Sequence, residues 1–235
     1  MMLPKLLLFD IDGTLIRWKR GRSTEITRRL VGDVLKKDLP EGSLTSFAGK
    51  TDLLIFKEIA DILQLSDDEL QNALPQLQSG LVDLCREYIS PEHIDLLPGV
   101  PALLKTLVED KNVELGLVTG NLKQSAFLKL SAYGLDEYFS HGAFGCDHIE
   151  RRQLPLIAIH RANEVKGQEV FKNHNSVIIG DSPRDIDCAV ANSIPVVCVA
   201  TGESSIEELE SHDPTLVLKD FSDIERSIRA LTSLH

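Results

Sequence analysis

The residues of this chain best suited to chemistry are carboxylates and hydroxyls that follow directly on apolar runs. In LLLFDIDGTL, residues 6–15, the run ends in Asp10 and Asp12, with Gly13 and Thr14 next. Residues two apart in an extended chain point the same way, so both carboxylates can face one site. Gly13 lets the backbone turn away without a side-chain clash. A second apolar run ends in Thr119, Gly120 and Asn121 before a helical pattern, whose first free N–H groups suit an oxyanion. A plain N-cap explains those residues equally well. A third run, VIIGDSPRDID at 177–187, ends in Gly180 and Asp181, with Asp185 and Asp187 close behind. Asp185 and Asp187 also suit a helix N-terminus as partners of its dipole. Finally, Arg151 and Arg152 stand just before a helix starting near Pro155. Two adjacent arginines commonly make a solvated face, but beside acids one of them can neutralise charge or hold a phosphate.

Positioning these groups requires strands that converge. Short runs rich in Leu, Ile and Val at 5–9, 114–118, 176–179, 195–199 and 216–218 read as buried strands. Between them, helical spacing of apolar residues appears at 101–108, 122–132, 154–165 and 221–231. This alternation predicts an α/β fold: a doubly wound, mainly parallel sheet covered on both faces. Such sheets bind ligands beyond the carboxyl ends of their strands. Three strand ends carrying acids or hydroxyls would therefore meet. Packed acids repel unless a cation lies among them, and oxygen-only ligands favour magnesium.

The alternation fails between residue 17 and about residue 95, where helix follows helix. Ser23 and Ser66 are the expected N-caps there, Ser66 with Glu69 three residues on as a capping box. We read 17–95 as a helical insertion overhanging the first strand's carboxyl end, and 1–16 with 96–235 as the α/β core.

Bulk composition narrows the function. The 235 residues carry 36 acids against 25 bases, a formal net charge of -11, which argues against a nucleic-acid partner. A small anionic substrate stays compatible, since a few local bases or a metal reverse the field. No run approaches the about 18 apolar residues of a membrane span, and the N-terminal apolar stretch is broken by Asp10. Cys85, Cys146, Cys188 and Cys198 are scattered with no C-x-x-C pair, so buried thiols are expected rather than disulfides or zinc. A cytoplasmic protein without membrane partners follows, monomeric or weakly dimeric.

Taken in order along essentially the whole chain, these clusters resemble the motifs of the haloacid dehalogenase-like hydrolase superfamily, and of its phosphoglycolate-phosphatase-like branch. The resemblance implies a Rossmann-like core with a helical cap at 17–95. It also implies a magnesium-dependent phosphatase acting on a small phosphomonoester. By the same resemblance Asp10 attacks phosphorus and Asp12 serves as acid and base. Thr119, Gly120 and Asn121 hold the phosphate, while Asp10, the Asp12 carbonyl and Asp181 hold the metal, with Asp185 in support. The family's basic position is usually a lysine followed by proline, whereas this chain offers Arg151 or Arg152. The local pattern favours the first and the spacing from Pro155 the second.

Within the insertion, FAGKTD at 47–52 resembles the relatives' substrate-specificity loop. Lys50 there would favour a second anionic group on the substrate; a plain helix start with a surface lysine is the equal alternative. A nucleotide-binding P-loop fails on spacing, because it needs glycine where Leu44 stands. Arg17 and Lys19 are weaker candidates beside the expected hinge. Three other functions fit less well. A phosphomutase would share the aspartyl-phosphate, a 2-haloacid dehalogenase would lack an acid at Asp12, and a binding protein would not need the catalytic acids.

Overall fold

In the computed structural model, which describes residues 4–44 and 46–234, strand β1 (Lys5–Phe9) opens the chain. Its side chains alternate between two cores. Leu7 and Phe9 enter one, Leu6 and Leu8 the other, and all four are fully buried. A strand buried on both faces has no polar side to show, which is why KLLLF is apolar almost throughout.

After a turn, β2 (Ile16–Trp18) leads into α1 (Arg22–Leu35), α2 (Asp52–Ile62) and α3 (Asp67–Tyr88), and β3 (Ile94–Leu96) returns antiparallel to β2. The chain then alternates: α4 (Val100–Glu109), β4 (Val113–Val118), α5 (Lys123–Ser131), β5 (Gly142–Ala143), α6 (Leu154–Lys166) and β6 (Ser176–Gly180). It finishes with α7 (Pro183–Ala191), β7 (Val196–Val199), α8 (Ile206–Ser211), β8 (Leu216–Leu218) and α9 (Ile224–Thr232).

Six strands pair in the order β5-β4-β1-β6-β7-β8, all parallel. Leu103, Leu104 and Leu107 of α4, Ala126 and Leu130 of α5 and Leu231 of α9 cover one face with Leu7 and Phe9. Leu154, Ala158 and Ala162 of α6 cover the other with Ile186 and Ala189 of α7. The α4 residues recur at helical spacing, so one stripe meets the sheet. Each fully buried Leu or Phe contributes about 1.5–3 kcal/mol. From β1 the chain runs to β4 and β5 on one side, then returns to β6 on the other. The order reverses between β1 and β6, where the crevice of an open parallel sheet receives its ligand.

The helices between β2 and β3 bury their own cluster, including Ile26, Leu30, Phe56, Ile59 and Leu77. Ser66 and Glu69 form the expected capping box, Ser66 N donating to Glu69 at 2.8 Å and Glu69 N to Ser66 Oγ at 3.3 Å. Three expectations need correction. The stretch 17–95 is not helical throughout: the β2–β3 ribbon fastens its two ends, with Arg17 opposite Asp95. Ser23 is not a cap, because α1 starts earlier, behind Gly21 at a left-handed φ of 81°. Cys85, Cys188 and Cys198 are buried, but Cys146 is exposed. No described helix is long and apolar enough to cross a membrane.

Candidate active site

Asp10, Thr119 and Asp181 each follow the last residue of a strand, and β4, β1 and β6 lie side by side. The three side chains therefore stand in a row at one sheet edge, all buried. Asp10 N donates to Ile179 O at 2.8 Å, continuing the ladder one residue past β1. Gly13 then turns the chain at a φ of 87°, and any side chain there would overlap the Asp181 carboxylate.

The structure separates the two arginines. Arg151 is 8% exposed and points its Nη2 at Asp10 Oδ2 (3.1 Å) and Asp185 Oδ1 (2.5 Å). Arg152 is exposed, and its backbone carbonyl accepts from Asn192 Nδ2 at 2.8 Å. Both lie in a single turn of 3-10 helix over Arg151–Gln153. Successive residues of such a turn point about 120° apart, so only one can face inward. The sequence could not reveal which.

Asp185 is held on both oxygens. Oδ1 accepts from Arg151, and Oδ2 from Ser182 N (3.1 Å) and Ser182 Oγ (2.6 Å), closing a capping box at the start of α7. Asp10, Asp181 and Asp185 each offer an oxygen within 4.8 Å of the others. Burial pushes the Asp10 carboxyl up to about 6, with Arg151 opposing and Asp185 and Asp12 adding to the rise. Burial and the neighbouring acids push Asp181 up as well. Two buried carboxyls with raised pKa values fit the demand for a divalent cation. Asp185 is engaged on both oxygens, whereas Asp10 has its one ion pair on Oδ2 and Asp181 accepts from Thr14 on Oδ1 alone, at 3.3 Å.

Asp12 is held from α5, by a residue that sequence reasoning missed. Lys129 Nζ lies 2.7 Å from Asp12 Oδ2 and 2.5 Å from Asn121 Oδ1, and Asn121 Nδ2 donates to Asp12 Oδ2 at 2.7 Å. Asn121 Nδ2 also donates to Thr119 Oγ1 at 2.8 Å. Burial alone would lower the Lys129 pKa, but Asp12, Cys85 and Asp52 outweigh it and the net shift is upward. The ammonium also lies 5.5 Å from the Trp18 ring centroid, within cation–π range. With Oδ2 so engaged, Asp12 Oδ1 is buried without a hydrogen-bond partner among the described residues. A signal existed in the sequence: Ser125, Ala126, Lys129 and Leu130 share the buried face of α5. A lysine within such a stripe is worth questioning, since unpaired lysines are rarely buried.

The FAGKTD loop seats on these strand ends. Asp52 N donates to Gly120 O (2.8 Å), Thr51 Oγ1 to Ile149 O (2.7 Å) and Arg151 Nη1 to Gly49 O (3.4 Å). Thr51 caps α2, accepting from Leu54 N at 3.1 Å. Lys50 is not a surface lysine: its side chain is 10% exposed and pairs with Glu58 at 2.7 Å. Its charge is thus already partnered. Arg17 and Lys19 both approach Asp95 across the ribbon, at 3.8 Å and 3.9 Å. Arg17, Lys19, Lys50 and Asp52 border one cavity of about 630 Å³ between the helical insert and the sheet edge, together with Asp10, Asp12, Thr119, Arg151 and Asp181.

Comparison with known proteins agrees with this architecture. The sequence model described as haloacid dehalogenase-like hydrolase matches residues 7–199. Phosphoglycolate phosphatase of Rhodospirillum rubrum is 27% identical over 227 residues, covering 94% of this chain and 90% of its own. A predicted phosphoglycolate phosphatase from Haemophilus somnus 129pt superposes with a TM-score of 0.71 at 23% identity, covering 97% of this chain and 99% of its own. The β-phosphoglucomutase of Clostridium difficile reaches a TM-score of 0.73 at 19% identity, covering 99% and 98% respectively. The chain belongs to the haloacid dehalogenase-like hydrolase family.

Proposed function

We propose that this protein is a magnesium-dependent phosphatase that hydrolyses a small phosphomonoester through an aspartyl-phosphate on Asp10. One observation carries the reading: Asp10, Thr119 and Asp181 converge on neighbouring strand ends, with the Arg151 guanidinium 3.1 Å from Asp10. Phosphoryl transfer needs an in-line nucleophile and neutralised equatorial charge, and this is such a set. The phosphoglycolate phosphatase name of the relative matching 94% of this chain supports the same reading.

In the first step an Asp10 carboxylate oxygen bonds to phosphorus while the ester P–O bond breaks, and Asp12 Oδ1 gives its proton to the leaving oxygen. In the second, Asp12 takes a proton from the attacking water, and the bond between Asp10 and phosphorus breaks to release phosphate. Lys129 and Asn121 fix Oδ2, leaving Oδ1 to carry the proton both ways. Arg151 meets the phosphate oxygens, as do Thr119 Oγ1 and the amides of Gly120 and Asn121. Asp10, Asp181 and the Asp12 carbonyl would hold magnesium, which when bound offsets the repulsion between Asp10 and a phosphate dianion. The insert over 17–95 acts as the cap.

The test is phosphate release from small phosphomonoesters with and without magnesium. Release should need the ion and vanish in Asp10→Asn; robust turnover by that variant would reject the scheme.

A further inference from the structure

The cavity above Asp10 has two different ends. At the sheet edge it is polar. Toward the insert its wall includes Trp18, Ile26, Leu30, Ile55, Phe56 and Leu81, beside the small hydroxyls Ser23, Thr24 and Thr27. A volume of about 630 Å³ belongs to sites that enclose drug-sized molecules, far more than a two-carbon acid ester fills.

The bases deepest in the cavity are already held by acids, and those without a full partner lie exposed to solvent. Six bases and six acids border the cavity, and most of the bases are held by acids. Lys50 pairs with Glu58, Lys129 with Asp12, Arg17 and Lys19 with Asp95, and Arg151 with Asp10 and Asp185. Arg20, the remaining base, is exposed to solvent. A substrate carboxylate among the apolar side chains would lose its hydration where Lys50, Lys129 and Arg151 are each already paired with an acid, a costly burial. Among the uncharged side chains on the wall, one buried group is left unpartnered. Ser125 Oγ borders the cavity, is fully buried, and has no hydrogen-bond partner among the described residues. It can serve one uncharged oxygen.

Building on the phosphatase reading, we infer that the substrate is the phosphate monoester of a bulky, uncharged and mainly apolar alcohol, not a short ester with a second anionic group. The phosphate sits on Arg151 and Thr119, and the leaving group extends between α1, α2 and α3. Burial of that remote part drives the reaction of the phosphoryl end.

The test measures kcat/KM for phosphate release with magnesium across ethyl, butyl and hexyl phosphate, phenyl phosphate and phosphoglycolate. The alkyl series should rise about fourfold for each methylene until the cavity is filled, with phosphoglycolate below butyl phosphate. Thr27→Phe and Leu81→Phe each place bulk in the cavity. Made separately so that one folding failure does not silence the experiment, they should collapse the hexyl-to-ethyl ratio. Phosphoglycolate as the best substrate, or a flat alkyl series, overturns the inference and leaves the phosphatase reading standing. Release from no ester at all overturns that reading instead. Calorimetry then still tests the pocket: hexylphosphonate must bind more tightly than phosphonoacetate, and the reverse order ends the inference.

Discussion

Replacing Arg151 with Met removes one buried cation and leaves two buried carboxylates facing each other. At an effective dielectric of about 20, a charge pair at the 3.1 Å separating Arg151 from Asp10 is worth roughly 5 kcal/mol before desolvation. The contact to Asp185 is shorter, at 2.5 Å. Much of that attraction offsets the cost of burying the ions, but a broken buried pair still costs about 3–5 kcal/mol because its partner is left behind. Urea denaturation at pH 7 should therefore show Arg151→Met destabilised by that amount. Arg152→Met, at an exposed side chain, should stay within about 0.5 kcal/mol of the parent. Phosphate release should fall by about 10²–10³-fold in the first variant and hold in the second. A stable, active Arg151→Met beside an inactive Arg152→Met would refute the placement of the guanidinium.

Two further outcomes follow from buried charge. Burial pushes Asp52 from 3.8 up to about 6, against the pull of Lys129 and the Leu122 amide. The unfolded chain thus loses this proton first: the cost to stability is absent below about pH 4, grows toward pH 6 and is complete above it. At neutral pH it amounts to about 3 kcal/mol, so Asp52→Asn should stabilise the protein by up to that amount at pH 7 and leave it unchanged at pH 4. Equal effects at both pH values in chemical denaturation would contradict this. Lys129→Met leaves Asp12 Oδ2 held by the Asn121 amide alone, so kcat should fall about 10²-fold with KM little changed. An unchanged kcat would show that α5 has no part in positioning Asp12.

The sequence made the strand ends legible because their signals are local. An apolar run stopping at an acid identifies Asp10 and Asp181 without knowledge of any partner. The sheet was readable for the same reason, except Gly142–Ala143, a strand of two residues with no periodicity. The β2–β3 ribbon escaped notice because three-residue strands give almost no alternation, and each is defined by pairing across more than seventy residues. Lys129 was harder to read: its spacing from Ser125, Ala126 and Leu130 puts it on the inward stripe of α5, but its partners Asp12 and Asn121 are supplied only by the fold. Lys50 shows the converse. Its chemistry suggested an anion from the substrate, and nearly two turns into α2 the chain itself supplies Glu58.

In the proposed mechanism Asp10 forms a covalent bond to phosphorus. Hydrolysis of a phosphorothioate monoester, chiral at phosphorus with two oxygen isotopes and run in water carrying the third, tests it most directly. Two successive displacements, first by Asp10 and then by water, give thiophosphate with retained configuration. Inverted thiophosphate would mean that water attacks the ester itself, and that Asp10 is not the nucleophile.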